Sequence, residues 1–294
     1  MTTQNDKKQN GRNFGIELEF DPGNQNCNQV AEIFHDNGFT NLRNVNGYQQ
    51  SNGNSWELKT DCSCGLELVS RKLKTDDSGL EELRTFTTLA SNLRDAYNWK
   101  IDKKCGFHVH FEISDLNSLQ IRNLVKLYLA YEPVIFAMQP MSRSRSGYCK
   151  GIRNKAGVNK FAKLAPVEID SLFSESFSLI NQDKFYGLNL KNYYHRKTIE
   201  IRYGAGTMNP EKIKAWVLFN LALIEKAKNS EFVVPFIERN TSLESLFKQS
   251  LKCFREIKKT GLKKGLTDAK KTLRNRFETF KQNHEQHTSY KISA

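Results

Sequence analysis

Three short stretches of the chain alternate apolar and polar residues in one shared design: IELEF from Ile16 to Phe20, FHVHF from Phe107 to Phe111, and IEIRY from Ile199 to Tyr203. Side chains alternate across a strand, so each stretch predicts a β-strand with one apolar and one ionisable face. The ionisable pairs are Glu17/Glu19, His108/His110 and Glu200/Arg202. Two more strands, NSWELKTD and GLELVS, read as a hairpin with its turn around Cys62 to Gly65.

Elsewhere the period lengthens to that of a helix. Val30, Ile33 and Phe34 predict a short helix closing at Gly38. Leu80, Leu83, Leu89 and Leu93 mark an amphipathic helix from Leu80 to Tyr97, which leads directly into the histidine strand. Ile121, Leu124, Val125, Tyr128 and Leu129 mark another from Asn117 to Met138, kinked or ended by Pro133. Asn209 followed by Pro210 reads as a cap and first turn, opening a helix through Trp216, Val217 and Ile224. Strands and helices intermix without a regular βαβ repeat, which predicts an α+β fold with a largely antiparallel sheet.

Two regions have a different texture. Residues 139–164 are Ser, Gly, Arg and Lys with few apolar positions, predicting a mobile loop that is a lid, a binding loop or disordered. After Asn229 come two basic amphipathic helices, near Leu243 to Lys258 and Leu266 to Lys281. These read as a C-terminal appendage, 229–294, to a catalytic-sized domain of 14–228, with residues 1–13 a disordered polar tail.

Composition narrows the class. No run approaches the roughly 20 apolar residues of a membrane span, and the N-terminus has no signal-like apolar segment, so a soluble cytoplasmic protein is expected. The six cysteines are widely spread and read as free thiols in a reducing compartment. Cys62-Ser-Cys64 suits a polar turn better than a zinc site, which would want CxxC spacing. The formal charge is +13, and from Thr241 onward thirteen Lys/Arg face five Asp/Glu. Such a tail either holds an acidic partner, nucleic acid included, or is a solvated helical face. No aromatic-interleaved platform accompanies it.

The polar strand positions are Glu, Glu, His, His, Glu and Arg, with no Lys, Ser or Thr. This is the vocabulary of metal and phosphate sites. Like charges 4 Å apart repel by about 4 kcal/mol at an effective dielectric near 20, so carboxylates gathered on one face need cations. If the strands are neighbours, Glu17, Glu19 and Glu200, with Glu67 from GLELVS, supply hard oxygen ligands for Mg²⁺, or for Mn²⁺ where an imidazole joins them. Arg202 then stands beside them as a fixed charge for a phosphoryl oxygen or a carboxylate. A zinc hydrolase fits less well, because no HExxH is present and the HxH is neither near the N-terminus nor followed by strand-helix repeats.

Five motifs in order, FGIELEF, WELKTDCSCGLELVS, CGFHVHF, FYGLNL and KTIEIRYGAGTMNPEKIKAWVLF, resemble the amidoligase family. That family lies in the glutamine synthetase and glutamate-cysteine ligase superfamily of carboxylate-amine ligases. The resemblance covers roughly Phe14 to Ile224. It implies an antiparallel sheet curved into a half-barrel, with helices on the outer face and ATP and metals on the concave one. It also implies two-step chemistry, in which ATP phosphorylates a carboxylate and an amine then attacks the acyl phosphate.

By that resemblance Glu17, Glu19, Glu67, His108, His110 and Glu200 are the metal ligands. Glu17, Glu200 and Arg202 carry catalysis, and His108, His110 and Arg202 reach the nucleotide phosphates. Arg143, Arg145 and Lys150 on the basic loop either close over the phosphates or form a solvated surface. Tyr186, Asn189 and Arg153 are candidates to line the substrate site. Asp61 is a further ligand or a turn-former, and Gly204, Gly206 and Thr207 make the turn after the third strand. One departure stands out: Ile201 occupies an apolar position where the family has phenylalanine, a packing change that leaves Glu200 and Arg202 in place. The expected partners are a carboxylate, possibly in a glutamate-containing peptide or a protein side chain, and an amine. Other readings of the same residues are a phosphotransferase on the same fold and a non-catalytic binding module using the basic helices.

Overall fold

The computed structural model describes residues 11–45, 53–155, 157–166, 168–178, 183–231 and 241–285. In chain order these form β1 (Asn13–Phe20), α1 (Cys27–Asp36), β2 (Leu42–Val45), β3 (Trp56–Asp61), β4 (Gly65–Val69), β5 (Leu73–Lys74), α2 (Asp77–Tyr97), β6 (Gly106–Glu112) and α3 (Ser118–Ala137). There follow α4 (Met141–Ser144), α5 (Val158–Lys163), α6 (Ile169–Ser178), β7 (Leu188–Asn189), α7 (Tyr193–Arg196), β8 (Thr198–Ala205), α8 (Pro210–Lys228), α9 (Leu243–Lys252), α10 (Phe254–Lys259) and α11 (Leu266–Glu285). Residues 1–10 of the expected disordered tail lie outside the described residues. Its end is tied down, because Arg12 pairs with Asp115 and Glu225.

The strands make one mixed, mostly antiparallel sheet in the order β2-β3-β4-β1-β6-β8-β7, with β5 pairing beside β1. Among the described strands only β2 and β3 run parallel. The three alternating strands are therefore direct neighbours, β1 beside β6 and β6 beside β8. Their apolar residues, Ile16, Leu18, Phe107, Val109, Phe111, Ile199, Ile201 and Tyr203, are at most 1% exposed. Aromatic stacking binds helices to that face, Phe86 of α2 on Trp56 and Tyr128 of α3 on Tyr203.

The helices begin where their caps predict. Asn117 and Asn209 accept from backbone amides of the first turns of α3 and α8. The helix at Asn117 does not end at Pro133; it runs on to Ala137. The hairpin of β3 and β4 turns at Gly65, whose φ of +116° suits only glycine.

Two expectations are corrected. Residues 139–164 are not a structureless loop: α4, a 3₁₀ turn at Ile152–Asn154 and α5 occupy them. Their sparse apolar residues, Cys149, Ile152, Val158 and Phe161, are spent on burial, and the buried carboxylate of Glu132 accepts the Ile152 and Arg153 amides. The C-terminal helices are not an appendage either. Helix α8 is buried on nearly every side from Ala215 to Glu225, so it needs neighbours all round. It packs on α2 and α3 on one side and on α10 and α11 on the other. Leu246, Phe254, Leu273 and Phe277 thereby join the same core as the sheet. Their lysines and arginines are what is left over on the outer faces.

The expectation of free thiols holds for Cys27, Cys62, Cys149 and Cys253, and fails for Cys64 and Cys105, which are disulfide-bonded. Spacing along the chain hides this pairing. The β3–β4 turn and the entry to β6 meet only because β4 and β6 flank the same strand.

Candidate functional site

The polar face centres on β1. Register sets Glu17 opposite His108 and Glu19 opposite Glu67, while His110 on β6 faces Glu200 on β8. One carboxylate, Glu17, holds both histidines: Oε2 lies 3.0 Å from Nδ1 of His108 and Oε1 lies 2.9 Å from Nε2 of His110. The His110 contact is an ion pair without hydrogen-bond alignment. His108 is only 2% exposed, and its ring also lies 3.6 Å from Glu19 and 3.7 Å from Glu200. On the far side Glu200 accepts from Asn189 and pairs with Arg202.

The charges on this face constrain one another. Burial alone would raise Glu17, but the charge of His110 and the hydrogen bond from His108 hold its carboxyl well below the usual range. Burial pulls His110 down, yet Glu17 and Glu200 outweigh it and push the imidazole up to about 9. Glu67 goes the other way: burial, the adjacent Glu17, and then Glu19 and Asp61 push it well above the carboxylate range. Crowding of carboxylates on this face thus opposes the charge of Glu67 while it favours that of His110.

The donor atoms also converge. Ligand atoms of Glu17, Glu67 and His108 lie within 4.8 Å of one another, and so do those of Glu17, His110 and Glu200. Glu17 belongs to both groups. Oxygen-rich donors with one imidazole each suit Mg²⁺ or Mn²⁺, and the residues present fit that chemistry. Space is reserved beside them at Gly106, where a Cβ would come within 2.6 Å of Nε2 of His108, 3.0 Å of Arg143 and 3.2 Å of Glu19. The Gly106 amide donates to Glu19.

Arg143 is not a loop cation over the site. It is buried beneath it, 3.4 Å from Nε2 of His108 and donating to the Arg202 carbonyl. That carbonyl is free because the pairing of β6 with β8 slips between Phe107 and Val109. Alternation alone cannot show such a slip. The other basic candidates stay at the margin. Arg145 is exposed after α4, and Lys150 bridges to Tyr186 with its ammonium 3.7 Å from Asp183. Arg153 turns back to the Leu129 carbonyl of α3. Tyr186 lies beneath Lys155, whose ammonium is 4.4 Å from the ring centre. Asn189 supports Glu200 from within the face. Asp61 accepts from the amides of Ser63 and Cys64, the turn-forming alternative.

Two residues of this face are not among the expected site residues. Glu57 and Lys59 alternate on β3 as the other pairs do, form an ion pair at 3.1 Å, and put Lys59 opposite Glu67. Their signal is present in WELKTD, where Glu and Lys alternate with Trp and Leu.

Similarity to known proteins agrees with this arrangement. Residues 10–224 match the model of a family described as "Putative amidoligase enzyme", a span that holds every residue of the polar face described above. No curated protein matches the chain. With most of its length, the eight described strands and the whole polar face inside that match, the chain belongs to the amidoligase family.

Proposed function

We propose that the protein is an ATP- and divalent-cation-dependent carboxylate-amine ligase, its sheet forming the floor of a glutamine synthetase-like half-barrel. The observation that carries this reading is the position of Glu17, shared between two converging donor groups on a single sheet face. Glu17, Glu67 and His108 would hold one Mg²⁺ or Mn²⁺, and Glu17, His110 and Glu200 another, with Glu19 close to His108. A bound divalent cation supplies charge neutralisation at the ATP phosphates and at the transferred phosphoryl group.

The chain's own residues do the rest by positioning. Arg202, fixed by Glu200 and close to the Tyr148 carbonyl, is the permanent positive charge beside the phosphoryl group. Arg143 props His108 from behind and fixes the β8 backbone that carries Arg202. A substrate carboxylate oxygen takes the γ-phosphoryl group and ADP leaves. The amine then bonds to the acyl carbon, phosphate departs, and the amine nitrogen gives up its extra proton. No side-chain nucleophile is required, which is consistent with Cys149 being buried and its thiol pushed up to about 11 by that burial.

The test is ADP release with Mg²⁺ or Mn²⁺ and pooled acids and amines, wild type against Glu17→Gln. Turnover that needs both pools, vanishes in the variant and yields a condensation product by mass spectrometry supports the ligase. A phosphorylated acceptor without condensation would replace it with a phosphotransferase. No ATP binding by calorimetry with either metal would end the reading.

A further inference from the structure

The Cys64–Cys105 disulfide ties together two elements that do not pair with each other. Strands β4 and β6 both pair with β1, one on each side, and two strands flanking a third run about 9.5 Å apart. The bonded cysteines stand only 5.5 Å apart at Cα. The bond thus draws the start of β4 against the start of β6 beyond the end of β1, where Asp21 leaves the ladder to pair with Lys100.

Each cysteine lies three residues before a member of one donor group, Cys64 before Glu67 and Cys105 before His108. That group, Glu17, Glu67 and His108, takes one residue from each of β1, β4 and β6, so its closure depends on how β4 and β6 are held about β1. The other group, Glu17, His110 and Glu200, lies on β1, β6 and β8, which pair in direct succession, with His110 opposite Glu200. The bond spans the first group and leaves β8 of the second outside it.

The bond also lies where a reductant can reach it. Cys64 is its outer half, in a turn whose Cys62 and Gly65 are exposed, whereas Cys105 is only 2% exposed. The reduced state has an acceptor waiting: Oδ1 of Asp102 lies 3.6 Å from the Cys105 sulfur and can accept from a thiol there. The thiols of Cys27, Cys149 and Cys253 are buried and pushed up by that burial, which keeps them out of exchange.

We infer that Cys64–Cys105 is a reversible thiol-modification site that governs the Glu17, Glu67, His108 group and spares the Glu17, His110, Glu200 group. The inference rests on the cation sites of the ligase reading. A dithiol reductant performs the step. One of its thiolates bonds to the Cys64 sulfur, the Cys64–Cys105 bond breaks, and Cys105 leaves as a thiolate. The second thiolate then bonds to the first and Cys64 leaves; the reductant ends as a disulfide, having given two electrons to the bond and its two protons to the cysteines. With the tie cut, Glu67 and His108 are held about Glu17 only by the separate pairings of β4 and β6 with β1.

The experiment titrates Mn²⁺ into the full chain and follows free Mn²⁺ by electron paramagnetic resonance. The oxidised chain is set against the chain reduced by a dithiol and freed of it under nitrogen, and against Cys64→Ser/Cys105→Ser. Alkylation of the unfolded chain before mass analysis should count four thiols in the oxidised form and six in the reduced. Thermal midpoints check that each form is folded. Two Mn²⁺ ions are expected to bind the oxidised chain, and one of them about tenfold or more weakly after reduction and in the double variant. The redox dependence should disappear in Glu67→Gln and persist in Glu200→Gln. A lower thermal midpoint with both Mn²⁺ affinities unchanged makes the bond a structural tie alone and overturns the inference. Equal losses at both sites, or six thiols in the oxidised chain, overturn it too, and each of these results leaves the ligase reading standing. No Mn²⁺ bound in either state removes the cation sites, and both readings fall with them.

Discussion

The two faces of the central sheet are made by the same strands, one residue in two, and they obey opposite rules. On the apolar face, Leu18, Val109, Phe111 and Ile201 are interchangeable in kind: each is an apolar volume at most 1% exposed, and what matters is that the space is filled. On the polar face no residue can stand in for its neighbour. Glu17 answers to two histidines, Glu200 to Asn189 and Arg202, and Glu19 to the Gly106 amide. Burial is similar at several of these positions, yet one side spends it on stability and the other on holding charges close together.

That contrast can be broken by substitution. The largest effect is expected at Phe111→Ala, which should cost about 3–5 kcal/mol in urea unfolding while leaving the activity per folded molecule near wild type. If activity falls faster than the folded fraction, the faces are not separable. Next comes Glu17→Gln. Outer-shell partners of metal ligands typically cost about 10–100-fold, and under the proposed ligase reading, which gives Glu17 to both donor groups, its loss should cost more than that in ADP release, with a smaller change in the urea midpoint than Phe111→Ala. A variant that keeps its turnover would remove Glu17 from the centre of the site. Asn189→Ala should fall within the outer-shell range of about 10–100-fold in Mn²⁺ dependence, because it supports Glu200 without joining either donor group.

The smallest effect sharpens the comparison by taking a polar cluster away from the site. Asp115 is gripped by Arg12 and Lys228, which hold its carboxyl below the usual range against the opposing pull of burial. A depressed carboxylate stabilises the fold fully above its unfolded value, and the contribution disappears as pH falls through the folded value. Wild type should therefore exceed Asp115→Asn by up to about 1 kcal/mol at neutral pH, the range for half-exposed pairs. The two unfolding curves should converge on acidification below pH 4, with activity equal throughout. A gap that persists in acid would show that the pair is not its source.

Most of the sheet is legible in the sequence because alternation is a local signal. The neighbouring order of β1, β6 and β8 is not in the pattern and enters there only as a condition, since nothing in a strand names its partner. Failures cluster where a few residues act at long range. The 139–164 segment reads as structureless because its apolar residues are few, yet Cys149, Ile152 and Phe161 are each fully used, and Glu132 of α3 supplies the missing amide acceptors. Arg143 is legible as a cation and not as a buried one, because its place depends on a slipped register between two strands remote from it in the chain. The Cys64–Cys105 bond joins residues separated by 41 positions, a pairing that only the sheet order reveals. The polar-face histidines and carboxylates are the easiest residues to find, since alternation and charge mark them together.

Helix α8 has one further consequence. The family match stops at residue 224, inside that helix, while α10 and α11 lie against it and Arg276 of α11 reaches back to the Met138 carbonyl and to Gln139, which also receives the amide of Ala205 at the end of β8. The recognisable part of the chain is thus smaller than the part that closes its core. A gene fragment trimmed to the family boundary would carry every residue of the polar face and present a cut helix with its hydrophobic back to water.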